Sequence, residues 1–97
     1  MIIIKVGGGE NINKDGIARD IKNLKEPVIF VHGGRRETDK IAEALGRPTK
    51  KIVSPSGMTS VLTDKDALRT LTMVYAGLLN KEWVQAFQKA GLNAVGL

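Results

Sequence analysis

Two short apolar runs in this sequence end in glycines, and each has an ionisable residue beside the junction. Residues 2–9 read IIIKVGGG and residues 28–34 read VIFVHGG. Glycine has no Cβ, so its backbone N–H groups can approach an anion closely. Where such a turn leads into a helix, the unpaired amides and the helix dipole favour phosphate. The two junctions therefore predict a site for an anionic, phosphate-bearing ligand.

Lys5 lies inside the first apolar run, two residues before the glycines. A charged side chain in a buried strand is costly unless a negative group compensates it. Lys5 is therefore either an edge lysine, one end of an ion pair, or a group that serves the anion at the adjacent turn. Its position beside GGG favours the last of these.

Two common phosphate-binding motifs are absent. The sequence has no G-x-x-x-x-G-K-[ST], and GGGENIN at residues 7–13 does not fit G-x-G-x-x-G. Neither a P-loop nor the dinucleotide fingerprint is therefore predicted.

The elements that must position these turns alternate between strand and helix. Residues 1–6 and 28–31 have the continuous apolar pattern of strands covered on both faces. Asn13 or Asp15 caps the first predicted helix, and the second begins at Glu37 or Thr38 and stops at Gly46. This β-α-β-α order implies parallel strands, whose carboxyl ends are where ligands bind in open α/β sheets.

The remaining residues predict a hairpin and a long helical region. Residues 50–54 and 58–62 form the two arms, and residues 54–57 form the tip. A helix capped by Thr63 or Asp64 then presents an apolar face, and Asn80 marks a break before a second helix that Gly91 ends. Residues 93–97 begin another strand, so we expect the chain to be part of a longer protein.

Composition limits the classes of partner. The 97 residues form at most one domain, with a net charge of +5, no cysteine and 4% aromatic residues. The basic excess is spread along the chain, which fits either a solvated surface or attraction to an anionic ligand or acidic partner. Few stacking residues argue against nucleic acid, and no apolar run is long enough to span a membrane. We expect a cytoplasmic protein.

The order and spacing of several motifs resemble the N-terminal half of the amino acid kinase family, in its acetylglutamate kinase branch. The residues that carry this resemblance are IIIKVGG (2–8), VIFVHGG (28–34), IAEALG (41–46), SG (56–57), LTD (62–64), MVYAGLLNK (73–81) and GLNAVGL (91–97). Within that branch, VHGG-x-x-ET-x-K followed by AEALG and by SPSG favours the enzymes whose substrate is 2-aminoadipate or glutamate linked to an amino-group carrier protein.

The resemblance implies a fold and an activity. The fold is a three-layer α-β-α sandwich with a mainly parallel sheet and a β-hairpin. Residues 1–97 correspond to the acyl-substrate-binding part, and the nucleotide-binding C-terminal part is absent from this sequence. The activity is ATP-dependent phosphorylation of a side-chain carboxylate to an acyl phosphate, in lysine or arginine biosynthesis, with ATP and Mg²⁺ as cofactors. The acceptor is carrier-linked 2-aminoadipate or glutamate, or N-acetylglutamate. A homodimer through the helix spanning Leu68 to Leu79 is implied as well, and the fragment alone is expected to be inactive.

The resemblance also implies roles for particular residues. Lys5 would neutralise charge on the transferring phosphoryl group, and Asn80 would bind substrate or cap a helix end. His32 would have a structural hydrogen-bonding role, since a carboxylate nucleophile needs no base. The backbone amides that would hold the phosphate and the attacking carboxylate are those of Gly7, Gly8, Gly33 and Gly34.

Two positions depart from the family pattern. Arg35 stands where a third glycine is common, and Val61 stands where an arginine often binds the α-carboxylate of the substrate. Arg35 and Arg36 are candidates to supply the missing charge, with hydrogen bonds from Thr59 and Ser60. Alternatively, an acidic carrier protein is attracted by Arg35, Arg36, Arg47, Lys50 and Lys51, or these five are ordinary surface charges.

Two other functions stay open at this point. The chain is either a truncated fragment that acts only by association, or part of a related kinase whose acceptor is a phosphate or a carbamate.

Overall fold

The computed structural model describes all 97 residues as alternating strands and helices. The elements in chain order are β1 (Ile2–Val6), α1 (Lys14–Leu24), β2 (Val28–His32), α2 (Arg35–Ala44), β3 (Lys50–Val53), β4 (Thr59–Leu62), α3 (Lys65–Thr72), a π-helical segment (Met73–Leu79) and α4 (Asn80–Lys89). The predicted α/β class, with parallel strands and a β-hairpin, is confirmed.

Strands β1 and β2 form a parallel pair joined through α1. Ile2 lies opposite Val28, and Val6 lies opposite His32. Both strands therefore end at the same edge of the sheet, and this edge carries the first glycine turn (residues 7–9) and the second glycine turn (residues 33–34).

Helix α1 begins where a side-chain cap is available. Asn13 is the cap, not Asp15, and its Oδ1 accepts a hydrogen bond of 2.9 Å from the amide of Gly16. Ala18 and Ile21 point into the core. The cap starts the helix five residues after the first glycine turn.

Helix α2 begins earlier than the sequence predicts. It starts at Arg35, directly after Gly34, and not at Glu37 or Thr38. Thr38 is buried inside the helix, where its Oγ1 donates to the carbonyl of Gly34 at 2.9 Å. The threonine that resembles a cap therefore binds back to the second glycine turn and places the helix N-terminus on it.

The hairpin is antiparallel, with Lys50 opposite Leu62 and Val53 opposite Thr59. Its base is tied to α2, since Thr49 Oγ1 donates to Asp39 Oδ1 at 2.8 Å. The predicted arms and tip are confirmed.

Residues 65–89 are helical throughout, with π-helical geometry in the middle. Asp64, not Thr63, caps the start by accepting a 2.8 Å hydrogen bond from the amide of Ala67. The predicted break at Asn80 is wrong, because its backbone is helical at φ −56° and ψ −45°. None of the helices has both the length and the apolar character required to cross a membrane.

The core lies on one face of the parallel pair. The ring of Phe30 lies 4.5 Å from that of Trp83 and 5.0 Å from that of Phe87. Ala18 and Ile21 of α1 complete this cluster. On the opposite face, Ile3 is 69% exposed and Ile29 is 48% exposed. The prediction that β1 and β2 are covered on both faces is therefore not met by residues 1–97.

The strand predicted at residues 93–97 is not formed. The carbonyl of Ala94 accepts from Gln88 at 3.1 Å, and that of Leu97 accepts from Asn80 at 3.3 Å. An apolar groove of about 690 Å³ lies between this segment and β2. Side chains of α4 therefore hold the segment, and its backbone does not pair with β2.

Candidate functional site

The two glycine turns are in direct contact. A Cβ on Gly8 would lie 2.5 Å from the Cα of Gly34 and 2.7 Å from the carbonyl carbon of Gly33. Conversely, a Cβ on Gly33 would lie 2.5 Å from the amide nitrogen of Gly8. Only residues without a Cβ permit this approach, which is why both turns need glycine.

The backbone amides of the two turns differ in their partners. The N–H of Gly33 donates to the carbonyl of Val6 at 2.9 Å and so extends the pairing of β1 with β2. In the structure this amide is therefore not available to a phosphate, contrary to the role predicted for it. The amides of Gly7, Gly8 and Gly34 have no acceptor within the chain. These three amides are the donors that a ligand could use.

Basic residues begin both helices that follow the turns. Lys14 is the first residue of α1, and Arg35 and Arg36 are the first two of α2. Cations are disfavoured at the positive end of a helix dipole, where anions are favoured. Their presence at both N-termini adds to the positive potential around the glycines. A lysine directly after a helix cap is therefore a sequence signal from which Lys14 could have been predicted as a site residue.

A pocket of about 420 Å³ opens between the two turns, and we call it the glycine pocket. Its walls include Leu79 and Trp83, with the backbone of both turns. Five charged side chains line it: Glu10, Lys14, Arg36, Glu37 and Lys40. Of these, only Arg36 was named from the sequence as a candidate site residue. The others come from different loops and helix faces that the fold brings together.

Lys14 is held at the wall of the pocket by two contacts. Its Nζ lies 3.6 Å from a carboxylate oxygen of Glu82 and 5.5 Å from the centre of the Trp83 ring. The aromatic face and the carboxylate fix the direction of this cation.

Lys5 lies on the face of β1 that is opposite the core. Side chains alternate along β1, so Ile4 and Val6 pack on the core while Lys5 is exposed with Ile3. Lys5 forms no ion pair within the chain. It does not line the glycine pocket. Its ammonium group is therefore uncommitted, on the open face beside the first glycine turn.

Three other predicted site residues lie outside the glycine pocket. Arg35 pairs with Asp39 of its own helix, with Nε and Oδ2 3.7 Å apart. Ser60 and Val61 lie on β4 and do not line the pocket. Arg36 therefore lines the pocket and Arg35 does not, whereas nothing in the sequence favoured either of them.

His32 and Asn80 make structural contacts. The Nδ1 of His32 donates to the carbonyl of Gly33 at 2.9 Å, consistent with the hydrogen-bonding role expected for it. The Nδ2 of Asn80 donates to the carbonyl of Leu97, and Gly96 approaches the Asn80 side chain so closely that a Cβ there would clash.

A site of this geometry suits a phosphoryl group or a carboxylate. Three free amides, two helix N-termini and several cations converge on it, and preorganised donors of this kind stabilise negative charge. No group of three or more histidine, aspartate or glutamate side chains is arranged to hold a metal ion.

Comparison with known proteins identifies the family. A profile of the amino acid kinase family matches residues 1–97. The chain belongs to the amino acid kinase family.

Named relatives within this family cover the whole chain. It is 50% identical over 100 aligned positions to a [LysW]-aminoadipate kinase of Thermus thermophilus. It is 46% identical over 101 positions to a putative [LysW]-aminoadipate/[LysW]-glutamate kinase of Nitrosopumilus maritimus, and 37% identical over 100 positions to an acetylglutamate kinase of Bacteroides fragilis. The chain spans 37%, 38% and 36% of the length of these three relatives, respectively. The resemblance to the aminoadipate and acetylglutamate kinase branch is confirmed.

Proposed function

We propose that the natural polypeptide carrying this sequence transfers the γ-phosphoryl group of ATP to a side-chain carboxylate. The acceptor is 2-aminoadipate or glutamate whose amino group is joined to a small carrier protein, and the product is an acyl phosphate used in lysine or arginine synthesis in the cytoplasm. The observation that carries this proposal is the glycine pocket, where the amides of Gly7, Gly8 and Gly34 are free between two helix N-termini. The relatives named above support the choice of acceptor.

The protein itself needs to make or break few covalent bonds in this reaction. An acceptor carboxylate oxygen attacks the γ-phosphorus, and the bond to the ADP oxygen breaks with its electron pair leaving on ADP. The carboxylate is already ionised, so no base is needed and His32 stays bound to the Gly33 carbonyl. Positioning and charge stabilisation supply the catalysis in such transfers.

Each part of the site has a role in this scheme. The free amides of Gly7, Gly8 and Gly34 hold the acceptor carboxylate and the phosphoryl oxygens, and Lys5 neutralises the charge that spreads over the transferring group. ATP would be used with Mg²⁺, which would neutralise part of the negative charge of the nucleotide. We assign no magnesium ligand to residues 1–97.

The hairpin offers a surface for an acidic carrier protein. Lys50 and Lys51 are exposed on β3 and form no ion pair, whereas Arg47 is paired with Asp66 at 3.7 Å. Exposed cations speed the encounter with an acidic partner and do so less at high salt. We therefore place the carrier protein on the side of the molecule that bears β3.

The acceptor is tested by trapping the acyl phosphate with hydroxylamine. We expect hydroxamate to form from carrier-linked 2-aminoadipate or glutamate, with a larger kcat/KM than for free N-acetylglutamate, because contacts with the carrier contribute binding energy. Turnover only with a carbamate or phosphate acceptor would indicate the related kinase. No turnover with any acceptor would favour a role by association alone.

We also propose a homodimer through the exposed side of the long helix. Leu68 and Met73 are both 53% exposed, whereas Val74 and Leu79 of the same predicted face are buried in the chain. Leu68→Glu combined with Met73→Glu is expected to convert a dimer into a monomer, measured by analytical ultracentrifugation. Leu45→Glu is the control, since Leu45 is 44% exposed but lies at the end of α2. A sedimentation coefficient that is the same in the double variant and the control would contradict this interface.

A further inference from the structure

One ion pair joins the two halves of the glycine pocket. The Nη1 of Arg36 lies 3.2 Å from the Oε1 of Glu10. Glu10 follows the first glycine turn, and Arg36 lies in the first turn of α2, after the second. Both residues line the pocket; the side chain of Glu10 is 54% exposed and that of Arg36 is 62% exposed. The pair therefore lies at the mouth of the site.

The loop that carries Glu10 has an unusual backbone. Asn11, the next residue, has φ +60°. This left-handed region is unfavourable for most residues with a Cβ, and asparagine is among those that tolerate it best. The chain thus turns sharply between Glu10 and the cap of α1, and in this conformation Glu10 reaches across to α2.

The exposed Arg36–Glu10 pair is suited to exchange. Ion pairs between exposed side chains contribute little to stability, because water and salt compete with them. An incoming carboxylate can therefore replace Glu10 at Arg36 at small cost. Arg35 cannot bind a ligand carboxylate in this pocket, because its side chain lies outside the pocket and pairs with Asp39.

The proposed acceptor has a carboxylate that needs a cation. N-linked 2-aminoadipate and glutamate each carry a reacting carboxylate and a second, α-carboxylate that does not react. The free amides of the glycine turns suit the reacting group. Val61 is apolar and lies outside the pocket. Of the three cations of the pocket, Lys14 is already held by Glu82 and Trp83. Lys40 lies about one turn further along α2 from the glycines than Arg36 does.

We propose that Arg36 binds the non-reacting carboxylate of the acceptor, and that Glu10 is the resident counter-ion which this carboxylate displaces. Arg36 is then a specificity-determining residue, and Glu10 is a built-in competitor that weakens acceptor binding. The inference rests on the proposed function, because that function supplies an acceptor with two carboxylates.

Substitutions of Arg36 and of Glu10 are expected to change the acceptor KM in opposite directions. In the natural polypeptide, Arg36→Gln is expected to raise the acceptor KM about 10- to 100-fold, the range for losing a hydrogen bond to a charged group, with little change in kcat. Glu10→Gln is expected to lower the KM by about two- to fivefold, the range of an exposed ion pair. The double variant should match Arg36→Gln, since Glu10 acts only through Arg36.

Two comparisons distinguish this role from a general loss of charge or structure. Arg69→Gln removes an exposed charge on α3 that has no ion pair, and its acceptor KM should stay within about twofold of the original. An acceptor whose α-carboxylate is converted to an amide should have the same KM with the original protein and with Arg36→Gln. Equal KM increases for the acid and the amide would overturn the proposal, as would weaker binding after Glu10→Gln.

A binding measurement separates this inference from the kinase activity. Titration calorimetry with N-acetyl-2-aminoadipate, a dicarboxylate, reports on Arg36 whether or not any acceptor is phosphorylated. Weaker binding by Arg36→Gln and tighter binding by Glu10→Gln support the assignment even if the proposed reaction fails. Equal affinities in all variants would overturn it even if the reaction is confirmed.

Discussion

Gly8→Ala is expected to lower phosphoryl transfer by about 100-fold or more. The added Cβ would lie 2.5 Å from the Cα of Gly34 and 2.7 Å from the carbonyl carbon of Gly33, so the two glycine turns would have to separate. The backbone atoms of Gly33 and Gly34 cannot move aside as the end of a flexible side chain can. A displacement of about 1 Å between reacting groups costs a rate factor of about 100. The measurement is kcat/KM for acyl phosphate formation by the natural polypeptide.

The matched control for this variant lies one residue away. A Cβ on Gly9 would meet no atom within 4 Å, so Gly9→Ala adds the same methyl group to the same turn without a clash. We expect Gly9→Ala to retain most of the activity. Circular dichroism and unfolding by urea show whether Gly8→Ala remains folded. Full activity in a folded Gly8→Ala variant would show that contact between the turns is not required.

Lys5→Ala is expected to reduce kcat by roughly 100- to 1,000-fold, the usual effect of losing one group that stabilises charge in a transition state. The acceptor KM should change far less, because Lys5 acts on charge that develops during transfer. The side chain is exposed and unpaired, so its removal should leave the fold intact. Steady-state kinetics with varied acceptor concentration separates the two parameters.

A second lysine provides the comparison for Lys5. Lys22 is exposed in the last turn of α1, distant in the fold from the glycine pocket, and Lys22→Ala removes the same charge from the protein. Its kcat should stay close to that of the original protein. If both variants keep the original kcat, Lys5 is an edge lysine with no part in transfer.

Much of the fold follows from local rules that the sequence displays. Helix boundaries depend on contacts within a few residues, so residue type and spacing predict the helix ends at Gly46 and Gly91 and narrow each of two N-caps to a pair of candidates that includes Asn13 or Asp64. The two strand–glycine junctions are equally local, and β-α-β connectivity then places both turns at one sheet edge. The family resemblance rests on the same short motifs, which is why it could be stated before the fold was known.

Other predictions failed where a polar side chain has a partner that its residue type does not reveal. Thr38 looked like a helix cap, but its hydroxyl binds the carbonyl of Gly34, and α2 begins three residues earlier. Asn80 looked like a helix break, but its amide binds the carbonyl of Leu97. The partner of Thr38 lies four residues earlier in the chain, and that of Asn80 lies 17 residues later. In each case the side chain has several possible partners, and its residue type alone does not select one.

The membership of the candidate site depended most on the tertiary structure. Successive residues on a helix point about 100° apart, so Arg36 enters the glycine pocket while Arg35 turns to Asp39. The sequence could not show which of them would face the glycines, because that depends on how α2 is rotated against its neighbours. It also could not show that the amide of Gly33 is used by Val6, since this bond exists only once β1 and β2 are in register. Residue types and their spacing thus predicted an anion site at the two glycine turns, whereas the choice of side chains and free amides came from long-range packing.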